Sequence, residues 1–158
     1  MKINDILFKI KTALSLDNES MIKAYALANY TITKERVENI VKRRQDKGYE
    51  EASFEELGIF LDGLVLLKRG PSPKSQQEDE EVVELTNNLI LKKLRIALNL
   101  KEPELVIVFA LVDVELTKRQ IGSLFRKEGS KNFKECSDEL LALFLEGLDE
   151  FYYDGVEI

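Results

Sequence analysis

A shift of 84 positions lays residues 4–64 on residues 88–148 without a gap, and 20 of the 61 pairs are identical. Asn4 returns as Asn88, Ile6-Leu7 as Ile90-Leu91, Ala13-Leu14 as Ala97-Leu98, and Leu16 as Leu100. Ala26-Leu27 returns as Ala110-Leu111, and Thr33-Lys34 as Thr117-Lys118. Phe60-Leu61-Asp62-Gly63-Leu64 recurs as Phe144-Leu145-Glu146-Gly147-Leu148. Such self-similarity marks a duplicated unit, so the chain must fold as two copies of one small domain. A unit of this size buries only about 60% of its unfolded surface, so the copies are expected to pack on each other. The repeat is also an internal comparison. A residue needed for chemistry in each unit should stand in both copies, and no catalytic constellation does.

Apolar residues recur at helical spacing throughout. Ile3, Ile6, Leu7, Ile10, Ala13 and Leu14 make helix 1. Its copy carries Ile90, Leu91, Leu94, Ala97 and Leu98, and Val82 and Leu85 extend that copy back through Glu78–Asn87. Asn18 is read as the cap of a second helix running to Ala28, with Pro103 at the first position of its copy. Asn29 or Asp113 ends it. Thr33 and Thr117 cap a third helix, with Gln120 completing a capping box in the second copy. Val37, Ile40 and Val41 face inward, as do Ile121, Leu124 and Phe125. Beyond a polar loop with Gly48 or Gly129, Ser53 and Ser137 cap a fourth helix with an acidic first turn. Gly63 and Gly147 fall inside that helix, where glycine costs about 1 kcal/mol relative to alanine. Close approach of another helix, or of the other repeat, is expected there. The expected fold is all-α: two tandem homologous four-helix units with an approximate internal two-fold. Repeat 1 spans residues 1–70, an acidic linker that is partly helical at its end spans 71–87, and repeat 2 spans 88–158.

The chain has no histidine and one cysteine, which excludes histidine-based triads, the commonest metal ligand and any internal disulfide. Cys136 stands where the first copy has Ala52, just before a capping serine and five residues ahead of Leu141. That is the spacing of a hydrophobic staple, so a structural role is expected. Acidic pairs such as Glu50-Glu51, Glu55-Glu56 and Asp138-Glu139 are read as helix-start charge. No catalytic, cofactor-binding or metal residue is assigned, and the chain reads as non-enzymatic and without a cofactor. No apolar run is long enough for a membrane span. The N-terminus lacks a signal-peptide pattern, and with the single cysteine this implies a cytoplasmic location.

Charge is unevenly spread within a net of −6. Residues 33–47 hold six bases against three acids, which is +3, and residues 117–134 hold six against one, which is +5. The tail from Glu135 has eight acids and no base. One reading has Lys and Arg near the C-terminus of helix 3 complement its dipole and pair with acids on helix 4. The other likens helices 2 and 3 to a helix-turn-helix that presents Lys34, Arg36, Lys42 and Arg43, with Lys118, Arg119, Arg126, Lys127 and Lys131, to phosphates. On that reading the second copy, with fewer acids, dominates.

The runs Leu116-Thr117-Lys118, Leu124-Phe125-Arg126-Lys127-Glu128-Gly129, Asn132-Phe133-Lys134-Glu135-Cys136-Ser137-Asp138 and Phe144-Leu145-Glu146-Gly147-Leu148 resemble the bacterial YehS-like family. Asn4-Asp5-Ile6-Leu7 and residues 88–100 fit the same pattern, so the resemblance covers nearly the whole chain. It implies a cytoplasmic bacterial tandem domain and brings no activity, cofactor or catalytic residue with it. The first copy departs most at Arg43-Arg44-Gln45-Asp46, which replaces Lys127-Glu128-Gly129-Ser130. The leading expectation is an interaction module acting on a protein partner or by self-association, with nucleic-acid binding as the alternative and no membrane role.

Overall fold

The computed structural model describes residues 1–70 and 85–153, and these form eight α-helices and no strand. Repeat 1 contributes α1 (Ile3–Ala13), α2 (Asn18–Leu27), α3 (Lys34–Ile40) and α4 (Phe54–Arg69). Repeat 2 contributes α5 (Asn87–Leu98), α6 (Glu102–Ala110), α7 (Lys118–Leu124) and α8 (Asp138–Phe151). The chain is therefore all-α and built of two like units, as the duplication requires.

Local chemistry fixes most helix ends. The hydroxyls of Thr33, Ser53, Thr117 and Ser137 each accept from an N–H three residues on, satisfying a donor that the helix leaves unpaired. Capping boxes close at Ser53 with Glu56 and at Thr117 with Gln120. At the other ends, Asn29 (φ 62°) and Asp113 (φ 61°) take the left-handed conformation. The Tyr30 and Val114 N–H groups then return to the Tyr25 and Phe109 carbonyls at 2.9 and 3.0 Å, the bond of a Schellman motif.

Three sequence expectations shift. Asp17 caps α2, its carboxylate accepting from the Ser20 N–H at 2.7 Å, and Asn18 is the first helical residue. Both residue types cap well, so sequence alone did not rank them. Pro103 is the second residue of α6, after Glu102, a position whose N–H also lacks a helical acceptor. α5 begins at Asn87, because Thr86 turns extended and caps it through the Leu89 N–H. The proposed backward extension is thus interrupted at Thr86, and residues 78–84 of it lie outside the described residues.

The glycines of helix 4 mark the closest approach within each repeat. A Cβ on Gly63 would sit 1.8 Å from the Ala24 carbonyl oxygen, and one on Gly147 would sit 2.3 Å from that of Val108. α2 therefore crosses α4, and α6 crosses α8, backbone against helix. The partner is in both cases a helix of the same repeat.

The repeats join by a different route. α1 packs chiefly on α8 and α5 chiefly on α4, so each first helix leans on the fourth helix of the other repeat more than on its own. The exchange is reciprocal, as an approximate two-fold requires, and it produces one continuous apolar core drawn from both halves. The Lys93–Asp62 ion pair and a hydrogen bond from Arg69 to the Ile96 carbonyl, at 3.2 Å, cross the same seam.

One asparagine per repeat ties helix 1 to the far end of its unit. The Asn4 amide donates to the Ile40 and Glu50 carbonyls at 2.9 and 2.8 Å and accepts from the Ala52 N–H at 3.0 Å. Asn88 does the same to Leu124, Lys134 and Cys136 at 2.9, 2.8 and 2.9 Å. Both therefore hold the loop between the third and fourth helices against the first, and so place the basic residues of that loop.

Candidate functional site

The nine candidate basic residues fall into two groups in each repeat. Lys34 and Arg36 lie on α3, with Lys42 and Arg43 in the loop beyond it. Lys118 and Arg119 open α7, with Arg126, Lys127 and Lys131 in the matching loop. α3 packs on α2 and α7 on α6, each within its own repeat.

Arg36 differs from the rest. Its Nε and Nη2 donate to the two oxygens of Glu56 at 2.9 and 2.7 Å, its Nη1 to Glu50 at 2.9 Å, and its Nη2 also to the Glu51 carbonyl at 2.8 Å. Glu56 is only 5% exposed and belongs to the α4 capping box. Burial alone would raise its pKa, but the Arg36 hydrogen bonds and charge, with the Ser53 N–H, hold the carboxyl below its ordinary value. It joins helix 3 to helix 4, but from the first turn of α3 and not from the bases near its C-terminal end, where the sequence placed the pairing. Among the described residues it is made by Arg36 alone of the nine. Repeat 2 has Gln120 and Leu140 at the two positions, so comparison of the copies could not reveal the pair.

The likeness to a helix-turn-helix weakens on geometry. Six residues, 28–33, separate α2 from α3, whereas the turn of that motif takes about three to four. α3 itself is only seven residues long.

A second feature lies on the outer faces of α2 and α6. Leu105, Val108 and Phe109 point α6 into the core, where Phe109 meets Phe144. The opposite side carries Pro103, Val106, Ile107, Ala110 and Leu111, edged by Glu104, which accepts from the Lys101 N–H, with Ile107 48% and Leu111 46% exposed. A helix facing water would normally be polar there. The equivalent face of α2 reads Glu19, Ile22, Lys23, Ala26 and Leu27, with Leu27 41% exposed. Ala26/Ala110 and Leu27/Leu111 are thus identical and exposed in both copies, although neither core nor cap requires them. Beside the α2 face runs a depression of about 410 Å³ lined by Ile22, Ala26, Asn29, Tyr30, Thr31 and Ile32. The positions of α2 and α6 were legible in the sequence, but this outward stripe was passed over.

The sequence model described as "Protein of unknown function (DUF1456)" matches residues 4–70 and 87–152, one match per repeat. The chain belongs to the DUF1456 family. It is also 31% identical over 148 residues to "Uncharacterized protein YehS" of Escherichia coli (strain K12), covering 94% of each chain. No solved structure matches it.

In this DUF1456 chain the one thiol is placed for packing. Cys136 is buried, its N–H donates to Asn88, and burial, with the charge of Asp138, pushes the thiol up to about 11. A thiol at that value is almost wholly protonated at neutral pH and a poor nucleophile. Among the described residues no group of three or more acidic or cysteine side chains is arranged to hold a metal ion. No helix among them is long and apolar enough to cross a membrane.

Proposed function

We propose that the chain is a non-enzymatic interaction module that binds further copies of itself head to tail, the outer face of α6 seating on the outer face of α2 in the next copy. The apolar stripe of α6 carries this reading. Covering the exposed halves of Ile107 and Leu111 would gain about 1 kcal/mol each, and β-branched Val106 and Ile107 bring no helix propensity to justify their place. The α2 depression, with Ile22, Ala26 and Tyr30 in its lining, offers a seat for that stripe. Asp113 and Glu115 are exposed past the end of α6, and the α2 face offers Lys23 beside Glu19. A stripe placed on its own image would set those acids near Glu102 and Glu104, which disfavours an isologous contact.

Sedimentation velocity over a concentration series tests this. A head-to-tail contact does not stop at two copies unless it closes into a ring, so the wild-type mass should rise beyond a dimer or settle at a ring. Ile107→Glu with Leu111→Glu should be monomeric with an unchanged helical spectrum. A wild type that stays monomeric at its highest soluble concentration, or a variant that associates as well as wild type, would overturn the proposal.

A further inference from the structure

Between α1 and the α3–α4 loop lies a cleft of about 560 Å³, away from the apolar faces of α2 and α6. Lys2, Lys42, Arg43 and Arg44 line it against one acid, Asp5, so the lining sums to +3 (four bases less one acid). Phe8 and Tyr49 also line it, and Phe8 is 47% exposed. The loop is held in place: Asn4 binds it from α1, the Asp46 carboxylate accepts from the Arg43 N–H at 3.2 Å, and Lys42 Nζ donates to the Lys47 carbonyl at 2.9 Å. Of the four cations only Lys2 has a carboxylate partner among the described residues, Glu51 at 3.4 Å. Nearby Glu50 is engaged by Arg36.

Clustering four cations against one lining acid, in a chain of net charge −6, costs repulsion that an anion would relieve. An exposed aromatic ring beside them is a platform for a planar base. Repeat 2 lacks the combination, since Lys92 stands for Phe8, Thr86 for Lys2 and Glu128 for Arg44. We infer that this cleft of repeat 1 binds a nucleotide unit, its phosphate on Arg43, Arg44 and Lys42 and its base against Phe8 and Tyr49. The unit is supplied either by a single-stranded nucleic acid or by a free nucleotide. This assigns the role to repeat 1, against the expectation from segment charge alone that repeat 2 dominates.

Fluorescence anisotropy of labelled twelve-residue dT and U strands at low salt, with unlabelled duplex, ATP and inorganic phosphate as competitors, tests the site. Arg43→Gln with Arg44→Gln should weaken binding and reduce the salt slope by about 1.4, at roughly 0.7 per cation. Phe8→Ala should weaken it about ten-fold with the slope unchanged, because a stacked base is lost and no phosphate contact is. Lys118→Gln with Arg119→Gln should leave it as in wild type. ATP competing as well as strand points to the free nucleotide as source, and strand far ahead of ATP points to the nucleic acid. The inference fails if neither strands nor ATP bind at low salt, if duplex binds better than single strands, or if inorganic phosphate competes as well as ATP and Phe8→Ala changes nothing.

Discussion

Replacing Gly63 by alanine sets two effects of opposite sign against each other. In an open helix interior the change gains about 1 kcal/mol. Here the new Cβ would lie 1.8 Å from the Ala24 oxygen and 2.5 Å from its carbonyl carbon, where carbon contacts are comfortable only near about 3.5–4.0 Å. Both obstacles are backbone, so no rotamer change relieves them and α2 must move off α4 by on the order of 1 Å. That gap opens an interface holding Met21, Tyr25, Phe60 and Leu64, all fully buried, and a radial gap of about 0.5–1 Å forfeits roughly a quarter to a half of each contact's attraction. Overpacking commonly costs about 1–3 kcal/mol. With a backbone obstacle the net loss should reach the top of that range, about 3 kcal/mol. Gly58 is the control. It lies five residues earlier on the same helix with nothing within 4 Å of a Cβ, and its counterpart is Ala142, so Gly58→Ala should gain up to about 1 kcal/mol. Gly147→Ala, 2.3 Å from the Val108 oxygen, should lose somewhat less than Gly63→Ala. Urea melts at constant slope measure all three. A Gly63→Ala midpoint at or above that of Gly58→Ala would refute the reasoning.

Asn4→Ala removes three hydrogen bonds to backbone groups and should cost about 3 kcal/mol, more than Asn88→Ala because Asn4 is only 6% exposed; equal and negligible shifts in thermal melts would contradict this. The Tyr25 hydroxyl is buried without a hydrogen-bond partner among the described residues, and Phe109 fills the matching site. Tyr25→Phe should therefore be neutral or stabilising by up to about 1 kcal/mol, and a clear loss of midpoint would show that the hydroxyl is satisfied. Glu56, whose folded pKa lies below its ordinary value, stabilises fully above the unfolded carboxylate range and loses that contribution as pH falls through the folded pKa. The stability gap between wild type and Glu56→Gln should thus be widest near neutral pH and shrink below about pH 4, and a gap of constant size down to pH 3 in denaturant melts would count against it.

What the sequence made legible was either local or written twice. Thr33, Thr117, Ser53 and Ser137 cap through groups three residues away, and Asn29 and Asp113 stop helices by their own backbone preference. Gly63 and Gly147 announce a close approach because each stands where alanine would otherwise be favoured. What it hid depends on contacts distant in the chain. The identity of Asn4 and Asn88 was visible, but their partners lie 36–48 residues away and are backbone groups that no residue type signals. Periodicity showed which face of the first, third and fourth helices is apolar without showing whose face covers it, so the exchange of α1 onto α8 and α4 onto α5 was not readable. Arg36 and Glu56 escaped for the opposite reason: the pair exists in one copy only, and comparison of the repeats discounts whatever is not repeated. The same bias favoured the charge of residues 117–134 over the mixed basic and aromatic cleft formed by Lys2, Phe8 and Arg43, which joins α1 to a loop about forty residues on.

Mixing two defective variants shows whether α6 of one copy seats on α2 of another. Ile107→Glu with Leu111→Glu removes the stripe and leaves the α2 face, while Lys23→Glu with Leu27→Glu removes the α2 face and leaves the stripe. Each variant alone has no complementary pair of faces and should sediment as a monomer. Mixed in equal amounts, each supplies the face the other lacks, and heterodimers that go no further should form. If both remain monomeric in the mixture while the wild type associates, the contact is not head to tail and the account is contradicted.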